Sequence, residues 1–171
     1  MSKLYLAVGS LFTQTPEEDP EEFEDEQARI SEMQAWLADQ GVKLVKGKKY
    51  KESLGFLAPL KDFSDFKPEH RYSLALAQLK LHAHTLATNR QHPAVELLAG
   101  LYRGSAYPVF ETLRKEKSLT PEELFALGFS LAERTGQERG LGVDLLEYVA
   151  EKFPRNKIGK NAKNKLKLIG A

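Results

Sequence analysis

An all-α fold of antiparallel helical hairpins, closed by a C-terminal capping helix, is what this sequence predicts. Three observations point there. From residue 20 onward apolar residues recur at spacings of three and four, the period of one helix face. Start signals of proline with neighbouring acids stand before several of these stretches, and glycine or proline stands after them. The pattern is clearest in residues 124–154, two amphipathic segments with a short connection, which favours antiparallel neighbours.

Composition narrows the class. At 171 residues the chain suits about one domain with a continuous core. Apolar content of 42% beside 29% charged residues is ordinary for a globular protein. No run of 18 apolar residues exists, so no membrane span is expected. The opening MSKLYLAVGSLFTQTPEE is a poor signal peptide, because it has one lysine and its apolar run is broken by Gly9 and Ser10. The absence of cysteine excludes disulfides and thiolate metal sites and suits a cytoplasmic protein. A net charge of +1 conceals an acidic beginning and a basic end.

Residues 1–19 are expected to form an N-terminal arm before a single helical domain, 20–171. Within the arm, 4–12 (LYLAVGSLF) reads as a short strand or a surface arm, and the lack of a nearby partner strand favours the arm. Residues 17–26 (EEDPEEFEDE) read as a solvated helix start, with Asp19 capping and Pro20 in the first turn. Helical spacing then continues to about Lys46 through Phe23, Ile30, Met33, Trp36 and Leu37, and Gly47 breaks it. Tyr50 to Leu60 forms a returning helix that ends near Pro59. Pro68 and Glu69 open a long helix to about Thr88, TNRQHP makes a turn, and Ala94, Leu98 and Leu101 mark the next helix.

Residues 105–116 add a short helix, which either pairs with 93–103 or fills a gap. Thr120, Pro121, Glu122 and Glu123 form a strong start signal for a helix bearing Leu124, Leu127, Gly128 and Leu131. TGQERG connects it to a helix carrying Gly142, Leu145, Leu146, Val149 and Phe153, which Pro154 ends. A helix-interior glycine costs up to about 1 kcal/mol relative to alanine, so Gly128 and Gly142 point to close backbone packing. Ile158, Ala162, Leu166 and Ile169 then define a terminal helix suited to covering the last hairpin's open face.

The last hairpin resembles the tetratricopeptide repeat. Leu124-x2-Leu127-Gly128-x2-Leu131, then Gly142-x3-Leu146 and Pro154, follows that family's pattern, with leucine for both aromatics, glycine for alanine and a connection two residues longer. Leu37-x2-Gln40-Gly41-x2-Leu44 followed by Ser53-x3-Leu57-x2-Leu60 keeps the spacing without a gap, and a degenerate middle copy needs a seven-residue insertion. The resemblance implies about three stacked repeats and a concave groove lined by first helices, used to hold a peptide or amphipathic helix. Its partner-binding residues would be Val42, Val45, Tyr72, Leu76, Phe125 and Phe129. In the middle copy Glu69, Leu79 and Lys80 join them. The lysine, asparagine and arginine clamp of the family's chaperone-binding members is not matched, since these positions are mostly apolar. A second reading makes Phe125 and Phe129 core residues covered by a neighbouring helix or by the arm.

Catalytic and metal motifs are absent from the sequence. His82 and His84 do not share a helix face, and H-E-x-x-H does not occur. Gly41 to Lys48 mimics a phosphate loop but lacks the following Ser or Thr, and GQERGLG follows no strand. No metal, no cofactor and no enzymatic activity are therefore expected. The sharpest electrostatic feature is the acid-free run holding Lys157, Lys160, Lys163 and Lys167 as a basic patch. Its alternative reading is a nucleic-acid-associated helical protein, disfavoured by the lack of stacking aromatics beyond Phe153. The opposite charges of the two ends also suggest self-association of protomers. The expected role is a protein-interaction adaptor.

Overall fold

Proline at the first helical position recurs through the chain, and four helices begin on it. A computed structural model describes residues 20–86 and 92–171, and every regular element in them is helical. The elements are α1 (Pro20–Lys46), α2 (Tyr50–Leu57), a 3-10 turn (Ala58–Leu60), α3 (Pro68–Leu86) and α4 (Pro93–Gly104). They continue with α5 (Val109–Lys115), α6 (Pro121–Ala132), α7 (Gly136–Lys152) and α8 (Lys157–Leu168). The expected arm, the Asp19 cap and most of the TNRQHP turn lie outside the described residues. No described helix is long and apolar enough to cross a membrane.

The chain divides into two compact units, 1–36 and 37–171, with the boundary inside α1. The described part of the first is one helical stretch, in which Met33 and Trp36 are 50% and 58% exposed. The second unit holds the core, in which Leu57, Leu74, Leu98, Leu127, Leu145 and Leu146 are fully buried. Complete burial of one such side chain contributes about 1.5–3 kcal/mol. Successive helices are neighbours, α2 with α3, α3 with α4, α6 with α7 and α7 with α8.

Close approach inside the hairpins follows from their glycines. A Cβ on Gly41 would stand 2.5 Å from Leu57 Cγ, and one on Gly128 would stand 3.3 Å from Leu146 Cγ. In both hairpins a first-helix glycine therefore meets a second-helix leucine. Gly142 is tighter, with a Cβ position only 2.3 Å from the backbone nitrogen of Ala132. Gly128 facing Leu145 and Leu146 while Gly142 faces Ala132 makes α6 and α7 antiparallel.

The α6–α7 connection is shorter than TGQERG implied. Helix α7 begins at Gly136, which leaves residues 133–135 as the link. Glu138 draws the added turn into the helix. It accepts from Arg134 at 2.9 Å and pairs with Arg103 of α4 at 2.9 Å, so its carboxylate is buried but matched.

Caps stand where the sequence placed them and also where it did not. Thr120 Oγ accepts the Glu123 amide at 3.2 Å, as its start signal implied. His92 is an unforeseen cap, its Nδ1 accepting the Ala94 amide at 3.1 Å while the ring is 2% exposed. Burial, followed by the nearby His82, pushes the His92 pKa below its ordinary 6.5. The unfolded chain therefore takes up the proton first as pH falls, and folding stability should drop from about pH 6.5 downward. Melting curves between pH 7.5 and 5.5 should show that decline, and His92→Asn should flatten it. Asparagine retains a capping oxygen but does not titrate in this window.

Candidate partner-binding cleft

Helix α3 turns one face, Glu69, Tyr72, Ser73 and Leu76, toward a cleft of about 390 Å³. Val45 and Lys46 at the end of α1, Lys48 in the turn and Tyr50 of α2 close one side. Tyr107 and the segment Glu116–Ser118 close the other. The floor is apolar and aromatic, and the Tyr72 and Tyr107 rings lie 5.7 Å apart at 35°.

Two polar arrangements set these walls. His70 is buried, and its Nδ1 accepts the Lys67 amide at 3.0 Å. The ring proton therefore sits on Nε2, which donates to Asp39 Oδ1 at 2.9 Å and joins α3 to the C-terminal half of α1. On the far side Glu116 accepts from the Tyr72 hydroxyl at 3.2 Å and from the Ser118 hydroxyl at 2.9 Å. Burial, and then the Glu116 carboxylate, raise the Tyr72 pKa well above its usual value, so this phenol stays protonated and donating. Burial likewise raises that of Tyr107.

The rim is basic. Lys46 and Glu69 approach at 3.9 Å with both side chains largely in water, a contact worth little. Lys48 and Lys117 have no ion-pair partner among the described residues. Lys48 also holds a left-handed backbone, φ 62°, where α1 ends. The Lys48 amide bonds to Val45 O and the Lys49 amide to Leu44 O, the paired bonds of a Schellman ending. Helix α8 ends with the same paired bonds, but its left-handed residue is Gly170. The sequence reading put the break at Gly47 and did not see that a lysine takes the strained position.

Of the residues expected to bind a partner, Val45, Tyr72 and Leu76 line this cleft together. Val42 is buried on α1 and is not part of the lining. Phe125 and Phe129 also lie outside the lining and face each other at 5.9 Å on α6. Phe125 packs against the core, and the Lys165 ammonium of α8 sits 4.0 Å from the centre of the Phe129 ring. Lys165 also pairs with Glu133. Leu79 is buried, and Lys80 is engaged by Glu123 at 2.8 Å.

Lys157, Lys160, Lys163 and Lys167 are exposed on α8, whose other side buries Gly159 and Ala162. His70, Tyr107, Glu116 and Lys117 were missed. Their signal, an X-Pro helix start followed three residues later by a side chain able to accept, was present only for His70. Among the described residues no group of three or more His, Asp or Glu could hold a metal ion.

No protein-family model matches the chain, and neither the comparison with curated proteins nor that with solved structures returns a match.

Proposed function

We propose that this chain is a non-catalytic interaction protein whose α1–α3 cleft receives a segment of a partner protein. The observation that carries this reading is Lys48. A lysine stands in a left-handed position where glycine is the unstrained choice, and it lines the cleft without an ion-pair partner among the described residues. Strain of this kind persists where the side chain has work to do. An extended segment bearing an apolar side chain beside a carboxylate fits the site. Val45, Leu76 and the tyrosines would take the apolar group, and Lys48 and Lys117 the charge. The glycine-to-leucine contacts repeated in the two hairpins support the accompanying reading as a tetratricopeptide-like array.

Lys48→Gly separates binding from folding. It relieves left-handed strain of about 1 kcal/mol, so the melting temperature should hold or rise. Capture of a partner from the source cell's lysate should fall at least tenfold, and Lys117→Ala should weaken the same partner. A bound protein retained equally by wild type and both variants would show that the cleft is not the working surface.

A further inference from the structure

The exposed sides of α1 and α8 share one spacing and carry opposite charge. On α1, Glu22, Glu26, Arg29, Met33 and Trp36 follow alternating steps of four and three, which places them on one stripe. On α8, Lys160, Lys163 and Lys167 follow the same rhythm, with Leu168 beside the last. This is the repeat by which two helices lie side by side.

Charge decides what can lie there. Residues 20–36 hold six carboxylates against the single Arg29, whereas α8 holds five lysines and no acid. Glu22, Glu26, Lys160, Lys163 and Lys167 make no ion pair among the described residues. The α1 stripe ends in the exposed Met33 and Trp36. The carboxylates of α1 and the lysines of α8 thus offer opposite charges at the same helical spacing.

We infer that the acidic stripe of α1 is the docking site for the basic stripe of α8 in a second copy of this chain. The interface is heterologous, since two different surfaces meet, and none of its residues lines the α3 cleft. Exposed opposite charges steer such an encounter, so its affinity falls as salt screens them.

Two charge-reversed proteins test it, Glu22→Lys/Glu26→Lys on α1 and Lys160→Glu/Lys163→Glu/Lys167→Glu on α8. All five positions are solvent-facing or partly so, and circular dichroism checks that both variants fold. In sedimentation velocity the wild type should self-associate at about 0.01 M salt and dissociate at about 1 M. Either variant alone should associate at least tenfold more weakly. Mixed, they should associate with each other, because one keeps the native acidic stripe and the other the native basic stripe. A wild type that stays monomeric at low salt overturns the inference, as does a mixture that associates no better than its components. A monomeric wild type whose α8 lysines are instead needed to shift a labelled oligonucleotide also overturns it, and assigns that stripe to nucleic acid.

Discussion

Gly142→Ala should be severely damaging, although it adds only one methyl group. The new carbon would stand 2.3 Å from Ala132 N and 2.7 Å from Leu131 C, both backbone atoms that cannot rotate away. Helix propensity favours alanine by about 1 kcal/mol, but forced separation of α6 and α7 outweighs it. A net loss of about 3 kcal/mol is expected. For a chain of this size that lowers the melting temperature by roughly 10 °C. Two residues earlier the sign reverses. Gly140 lies in the same helix with nothing within 4 Å of its Cβ position, so Gly140→Ala should stabilise by up to about 1 kcal/mol. Parallel thermal melts of the two variants settle both expectations.

The second large effect belongs to Lys80 and Glu123. Their side chains are 18% and 10% exposed and meet at 2.8 Å, and Lys80 also donates to Ser118 O at 2.6 Å. Glu123→Ala leaves a largely buried ammonium with only that carbonyl, and should cost about 3 kcal/mol in urea unfolding. The pair itself is a different matter. Lys80→Met/Glu123→Leu removes both charges, and should come within about 1 kcal/mol of wild type. A double-mutant cycle measures the difference as coupling energy. The pair ties α3 to the start of α6 and holds Ser118, so Glu123→Ala should also loosen the Lys117 side of the cleft.

Helices were legible because their signals are local. Pro20, Pro68, Pro93 and Pro121 each open a helix, and the period-3.6 stripes run between these starts and their stops. The exception is the start of α7, whose first turn depends on Glu138 meeting Arg103 from another helix. A contact between residues thirty-five apart leaves no trace in local spacing. The cleft divides in the same way. Val45, Tyr72 and Leu76 follow from the register that the tetratricopeptide resemblance implies, because they lie inside helices where that register can be laid down. Tyr107, Glu116 and Lys117 sit in connections, where no period exists, and they reach the cleft only through the placement of α5. Lys165 shows the converse limit. Composition counts it with the other lysines, but it turns inward over Phe129 while its neighbours face water.

Trp36, the chain's one tryptophan, is 58% exposed and lies before the boundary at residue 37. The indole emission is thus already that of a solvated chromophore in the native protein. Unfolding of the 37–171 unit is read instead by helical ellipticity or by tyrosines such as Tyr72, which is buried. Trp36 thus serves as an optical label on the α1 stripe inferred to meet a second copy of this chain.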